Sequence, residues 1–205
     1  MTKDELQDII FGTKQDSQRT LIQTVTSYLR ANAGAGSLAK NDKHFKQQEA
    51  NCLIHFCDEN NLFVKDKLDI NLFVSEGAEQ KVYIKNEKIV YKLNDAIYYT
   101  KWLDYFNNLL LHNYFFEVTA YTLVGFYLKD EILYALVEQP FVVANEPTNL
   151  ENVKELMVAN GFVNTKNNDY FNENLGLILE DLHDENVLTK DGVLFFIDTV
   201  FYIKS

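Results

Sequence analysis

The sequence predicts an α+β fold, because its hydrophobic pattern changes period along the chain. Apolar residues first recur at helical spacing, in one run from Ser17 to Leu29 and in another from Phe45 to Cys57. From residue 68 onward, short β-rich runs alternate with turn residues around one long helical segment, residues 96–113. Helices and strands therefore occupy separate stretches, as they do in α+β proteins.

The order of these elements predicts three segments. Residues 1–67 form a helical N-terminal extension. Residues 68–138 contain a meander of strands at 71–75, 81–85 and 88–93, the long helix, and a hairpin of strands 121–127 and 132–138. The only two prolines, Pro140 and Pro147, mark a hinge or linker at the start of the third segment, residues 139–205. That segment holds a short helix at 149–157 and further β-rich runs at 175–179, 187–188 and 193–197.

Composition excludes several classes of protein. Hydrophobic residues make up 47% of the chain, enough for a buried core, yet no apolar run approaches the roughly 20 residues of a membrane helix. The net charge of −11 disfavours binding to nucleic acid. The N-terminus carries acids rather than the bases of a signal peptide, and two cysteines suit a reducing compartment. We therefore expect a cytoplasmic protein without a membrane partner.

One segment carries the residues of a phosphoryl-transfer site. A β-rich run ends at Asp181, Asn186 follows five positions later, and a turn at residues 190–192 returns the chain to Asp198. Protein kinases place a base Asp, a metal-binding Asn and a second metal-binding Asp in this order. An Asp can accept the proton of a substrate hydroxyl, and oxygen ligands suit Mg²⁺. The spacing predicts phosphoryl transfer.

At these residues the chain resembles the kinase-like phosphotransferases, and its Asp-Leu-His-x-x-Asn loop is similar to that of aminoglycoside and small-molecule kinases. It most resembles the serine/threonine/tyrosine kinase-like domain of polyvalent proteins in phages and bacterial mobile elements. The resemblance spans residues 68–203, and it is carried by the stretches 76–83, 111–116, 137–141 and 179–201. It implies a protein-kinase-like fold, with residues 68–138 as the N-lobe and 139–205 as a reduced C-lobe.

The resemblance also assigns roles to residues of the predicted N-lobe. Gly77 would lie in the turn that covers the phosphates, and Lys92 would be the strand lysine that contacts the α and β phosphates. Glu138 and Pro140 would begin the hinge that receives adenine. Kinases usually pair the strand lysine with a Glu on the following helix, but residues 96–113 contain none, so Asp104 and Glu117 are the candidates.

In the predicted C-lobe, the resemblance makes Asp181 the catalytic base and Asn186 and Asp198 the metal ligands. His183 is interpreted as a structural residue that bridges the loop, and His112 as a residue that caps the long helix. The chain ends seven residues after Asp198, which is why we expect a reduced lobe.

Two functions remain open from the sequence. The first is an ATP- and Mg²⁺-dependent kinase that transfers the γ-phosphoryl group to a hydroxyl of a protein or small molecule. The second is a catalytically inactive, kinase-like module that binds nucleotide or another protein. Activity of Asp181 as a base separates them, because Asn186 and Asp198 alone would suffice to hold magnesium and nucleotide.

Overall fold

Helices and antiparallel sheets both occur, so the chain is an α+β protein as predicted. A computed structural model describes residues 2–12, 20–32, 42–65, 70–76 and 80–204. In these ranges the helices are α1 (Lys3–Phe11), α2 (Leu21–Asn32), α3 (Asp42–Asn60), α4 (Trp102–Phe115) and α5 (Leu150–Ala159). The strands are β1 (Phe73–Glu76), β2 (Gln80–Asn86), β3 (Ile89–Asn94), β4 (Thr122–Lys129), β5 (Ile132–Pro140), β6 (Val163–Lys166), β7 (Asp169–Asn172), β8 (Leu177–Glu180), β9 (Val187–Lys190), β10 (Val193–Phe196) and β11 (Val200–Ile203).

The chain divides into two compact units, named here after one predicted site residue in each. The Lys92 unit comprises Asp16–Leu109 and Tyr121–Phe141, and the Asp181 unit comprises Met1–Gln15, Leu110–Ala120 and Val142–Ser205. Helix α4 contributes residues to both. The domains predicted at 1–67, 68–138 and 139–205 stay a prediction.

The Lys92 unit is built on a five-stranded antiparallel sheet of order β1-β2-β3-β5-β4. Strand β3 alternates strictly, so that Val90, Lys92 and Asn94 are buried on one face. The β4–β5 turn consists of Asp130 and Glu131, both with positive φ, the backbone that a two-residue hairpin requires. The predicted order of meander, helix and hairpin is therefore confirmed.

Helix α4 begins six residues later than the pattern predicts. The side chain of Asn94 accepts a hydrogen bond from the amide of Ala96 (2.6 Å), and Asp95 does the same for Ile97 (3.0 Å). Ala96 itself has a φ of 56°. These local turns prevent the helix from starting at residue 96. The buried carboxylate of Glu49 on α3 instead caps the observed start, accepting from the amide of Leu103 at 3.3 Å.

Strand β4 is the last strand of the sheet, and residues 62–64 cover its outer edge. The amide of Phe126 donates to the carbonyl of Leu62, and the amide of Val64 donates to the carbonyl of Phe126, each at 2.9 Å. A Cβ at Gly125 would lie 2.4 Å from the Leu62 carbonyl oxygen, so only glycine fits this close approach.

The Asp181 unit contains a four-stranded antiparallel sheet of order β11-β8-β7-β6 and the separate hairpin β9–β10. Its core joins α1, the end of α4, α5 and these strands through buried apolar side chains, among them Leu6, Leu111, Met157, Phe162 and Leu179. Helix α1, β6, β7 and β11 were not predicted. Asn149 caps α5, in the predicted helix at 149–157, by accepting from the amide of Glu151 at 2.9 Å.

None of the helices in the described ranges is both long and apolar enough to span a bilayer.

Candidate active site

The loop after β8 presents Asp181 in an unusual backbone conformation. Asp181 has a φ of 70°, a left-handed value that Asp tolerates better than most residues. Its amide donates to a carboxylate oxygen of Asp169 at 3.2 Å, and the next amide, of Leu182, donates to the carbonyl of Asn168 at 3.2 Å. The Leu182 side chain is fully buried. The loop is thus fixed to the β6–β7 turn while the Asp181 side chain stays exposed.

The side chain of Asn186 forms hydrogen bonds to Asp181, at the start of the same loop. Its side-chain amide donates to the carbonyl oxygen of Asp181 at 2.9 Å and to the carboxylate Oδ2 at 3.0 Å. In the described part of the chain, no hydrogen bond uses the side-chain oxygen of Asn186. The amide group therefore holds Asp181 and leaves a neutral oxygen of the kind that Mg²⁺ accepts.

His183 contacts the other oxygen of the same carboxylate. Its Nε2 lies 3.2 Å from Asp181 Oδ1, while its Nδ1 accepts from the amide of Glu185 at 3.2 Å. Nε2 also lies 3.1 Å from the side-chain nitrogen of Asn186, so the ring contacts both Asp181 and Asn186. This placement is that of a residue that orients the carboxylate, and His183 bridges the loop as we interpreted from the sequence.

The β9–β10 hairpin returns the chain to Asn186. The carbonyl of Asn186 accepts from the amides of Ile197 (2.9 Å) and Asp198 (3.3 Å). The turn that makes this possible contains Asp191 and Gly192, both with positive φ. The structure thus brings Asp181, Asn186 and Asp198 together in one unit by hydrogen bonds through Asn186.

Negative charge is concentrated around the loop. Burial raises the pKa of Glu180, and the nearby carboxylates of Asp169 and Asp181 raise it further. No group of three or more His, Cys, Asp and Glu side chains in the described ranges is arranged to hold a metal. A cation at Asn186 and Asp198 would therefore need oxygen ligands from elsewhere, such as phosphate groups.

Lys92 lies in the Lys92 unit at the centre of the sheet. It faces Val82 on β2 and Val137 on β5, it is 4% exposed, and its Nζ is 5.4 Å from the centre of the Tyr121 ring. A lysine so far removed from water is uncommon unless its charge is used or compensated. Asp104 belongs to the first turn of α4 in this unit, and burial raises its pKa. Glu117 is exposed and belongs to the Asp181 unit.

Glu138 and Pro140, the predicted hinge residues, lie at the end of β5. Glu138 is opposite Tyr91 on β3 and forms an ion pair with Lys85, on the face of the sheet that Lys92 does not occupy. Its hydrogen bond to Lys85 raises the pKa of that lysine. Pro140 pairs with Ile89 as the last residue of the strand. Gly77 lies outside the described residues.

Two contacts that support the site were not predicted from the sequence. Asp169 anchors the amide of Asp181, and His112 is fully buried, with Nδ1 2.7 Å from the hydroxyl of Thr199. The interpretation of His112 as a cap of the long helix stays a prediction, and the contact with Thr199 is additional to it. Thr199 lies 87 positions away in the chain, so no local pattern could have indicated the contact.

These features describe an α+β protein in which one loop joins Asp181, Asn186 and Asp198 by hydrogen bonds. The sequence pattern of the Kinase-PolyVal family, described as the serine/threonine/tyrosine kinase found in polyvalent proteins, matches residues 46–205. The chain belongs to this kinase family. Neither the curated proteins nor the solved structures contain a match to it, so the kinase-like fold stays a prediction.

Proposed function

We propose that the protein is a phosphotransferase that uses ATP and Mg²⁺ to transfer the γ-phosphoryl group to a hydroxyl of a protein or small molecule. The observation that carries this proposal is Asn186, whose side chain holds Asp181 and whose carbonyl holds the backbone of Asp198. Family membership supplies the reaction class. A kinase-like fold, with the five-stranded sheet as the N-lobe, is part of the proposal.

Asp181 is the proposed base. Its carboxylate is exposed, as contact with an acceptor hydroxyl requires, and two neighbours fix its orientation. Such a carboxylate accepts the hydroxyl proton as the oxygen attacks the γ-phosphorus and the bond to ADP breaks.

Asn186 and Asp198 are the proposed magnesium ligands. They offer one amide oxygen and one carboxylate, a set of hard donors that fits Mg²⁺ when phosphate oxygens and water complete the octahedron. The ion would neutralise charge that develops on the phosphates.

Lys92 and Gly77 are proposed to position the phosphates, and Glu138 and Pro140 to begin the adenine hinge. Burial of Lys92 supports its role, because a desolvated ammonium interacts strongly with an anion. The Lys85 pair occupies the Glu138 side chain, so its proposed contribution to adenine binding is through the backbone. Free thiols at Cys52 and Cys57 agree with a cytoplasmic location, which we also propose.

Nucleotide binding is tested by thermal unfolding with ATP, with and without Mg²⁺. Nucleotide at roughly 100 times its Kd should stabilise the fold by about 2.7 kcal/mol. Asp198→Asn should fold normally but lose the Mg²⁺-dependent part of this stabilisation. No stabilisation of the wild type at millimolar nucleotide and magnesium would count against the whole site.

Catalysis is tested by transfer of labelled γ-phosphate, first to the protein itself and then to hydroxyl compounds. Asp181→Ala should bind nucleotide normally and reduce transfer by about 10² to 10⁴. Asp184→Ala is the matched control, because it removes an exposed carboxylate from the same loop and should retain transfer. Equal labelling by wild type and Asp181→Ala would exclude Asp181 as the base.

The second candidate is an inactive module that binds nucleotide or a protein. One observation favours it: both carboxylate oxygens of Asp181 already interact, Oδ2 with Asn186 and Oδ1 with His183. This candidate predicts that the wild type transfers phosphate to no acceptor and that Asp181→Ala changes neither transfer nor whatever binding the wild type shows.

A further inference from the structure

His112 is a buried histidine whose two ring nitrogens both have partners in the Asp181 unit. Nε2 lies 3.1 Å from the carbonyl oxygen of Thr119, and Nδ1 lies 2.7 Å from the hydroxyl of Thr199. A carbonyl oxygen only accepts, so Nε2 carries a proton. In the neutral ring Nδ1 is then an acceptor, and the hydroxyl of Thr199 donates to it.

Thr119 extends this connection to the end of β10. Its hydroxyl donates to the carbonyl oxygen of Phe196, within the same unit. The ring of Phe116 also stacks on that of Phe196, with centres 4.0 Å apart. Thr119, in the turn after α4, thereby binds the backbone of Phe196, two residues before Asp198. His112, on α4 itself, binds Thr199, the residue just after Asp198.

We propose that His112 and Thr199 are positioning residues for Asp198, an inference that rests on the proposed role of Asp198 as a magnesium ligand. Asp198 lies between two attachments, Phe196 and Thr199, and its amide is held by Asn186. A short connection between strands, fixed on both sides and at its centre, restricts where the carboxylate points. Groups that orient metal ligands in this way typically change metal affinity by about 10- to 100-fold.

The hydroxyl of Thr199 is the part of this arrangement that can be removed with least disturbance. Thr199→Val keeps the shape of the side chain but leaves Nδ1 of His112 without its donor, whereas Thr199→Ser keeps the hydroxyl. Thr189→Val is the matched control, because Thr189 is also buried in the Asp181 unit and bonds another threonine, Thr148, at 3.0 Å.

The first measurement is the Mg²⁺ concentration that gives half of the ATP-dependent thermal stabilisation. Thr199→Val should raise this concentration about 10- to 100-fold. Thr199→Ser and Thr189→Val should stay within about twofold of the wild type. If Thr199→Val does not fold, Thr199→Ala removes the same hydroxyl and takes its place.

The second measurement needs no nucleotide. Hydrogen exchange at the amides of Ile197 and Asp198, which donate to Asn186, should be faster in Thr199→Val than in Thr189→Val after correction for global stability.

The outcomes separate this inference from the proposed function. If the wild type binds Mg²⁺ and ATP and folded Thr199→Val has the same magnesium midpoint, positioning by Thr199 is wrong and the proposed function stands. If the wild type binds no Mg²⁺ and ATP, both are overturned. Unchanged exchange at Ile197 and Asp198 in Thr199→Val would also overturn the positioning role.

Discussion

The two units place their functional residues by different means. In the Lys92 unit, strands of up to nine residues set side-chain direction by alternation, and Lys92 is buried because of its register on β3. In the Asp181 unit, each strand has four residues, and Asp181 is placed by a left-handed backbone and by specific hydrogen bonds. We therefore expect the sheet to tolerate the loss of single polar contacts better than the loop does.

The largest effect is expected for a substitution in the core of the Asp181 unit. Phe162 is 1% exposed and packs edge-on against Phe115, with ring centres 5.7 Å apart. Phe162→Ala should lower the free energy of unfolding by about 3–5 kcal/mol, because it leaves a cavity among well-packed aromatic rings. The measurement is urea unfolding followed by circular dichroism.

Val163→Ala is the control for this change, since its side chain is 67% exposed and next in the chain. It should cost less than about 0.5 kcal/mol. Trp102, the only tryptophan, belongs to the Lys92 unit, so its fluorescence reports on that unit in the same experiment. A Phe162→Ala protein as stable as the wild type would show that the short strands do not depend on this core.

A smaller effect is expected at Lys92. Lys92→Met keeps the length of the side chain and removes its charge. Nucleotide affinity should fall by about 10- to 100-fold, the loss of a hydrogen bond to a charged group. Isothermal titration with Mg²⁺ and ATP measures this directly.

Lys129→Met, at the exposed end of β4, is the matched control and should bind nucleotide as the wild type does. If Lys92→Met also binds with unchanged affinity, the lysine is a structural residue of the sheet and its assignment to the phosphates is wrong.

The smallest effect concerns Glu180, beside the loop. Its pKa is raised by burial and then by Asp169 and Asp181, so the folded state binds a proton more tightly than the unfolded state. The charged carboxylate of Glu180 therefore lowers the stability of the fold at neutral pH. This loss shrinks as the pH falls through the raised pKa towards the usual value near 4.5, because the carboxyl group is then protonated in the folded state. Glu180→Gln should be more stable than the wild type at pH 7, by about 0.5 kcal/mol, and the difference should shrink at pH 5.

Urea midpoints at the two pH values measure the effect. Glu185→Gln removes the same charge from an exposed side chain of the loop and serves as the control. A Glu180→Gln protein less stable than the wild type at pH 7 would mean that the carboxylate has a stabilising partner.

Sequence patterns predicted the sheet and part of the site because both depend on local order. The β-rich run at 88–93 predicted β3 with Lys92. The order and spacing of Asp181, Asn186 and Asp198 indicated three residues that the structure joins by hydrogen bonds through Asn186. Both predictions use only residue types and short distances along the chain, so they require no knowledge of contacts between distant residues.

The failures have physical causes that a local pattern does not contain. Helix α4 starts late because Asn94 and Asp95 bond to backbone amides, which periodicity of apolar residues ignores. Strand β6 has one apolar residue, Val163, and β7 has two central aromatic residues flanked by Asp and Asn, so neither forms a long β-rich run. Helix α1 does have one signal, the reciprocal capping of Thr2 and Glu5, that could have been used.

The strip of chain at residues 62–64 has a consequence for self-association. An uncovered strand edge can pair with another molecule, and β4 would offer such an edge. Here the covering segment belongs to the same polypeptide, so its effective concentration is of order millimolar. A second molecule at micromolar concentration competes poorly with it. Gly125, which leaves room for the Leu62 carbonyl, thus helps to close this edge of the sheet to another chain.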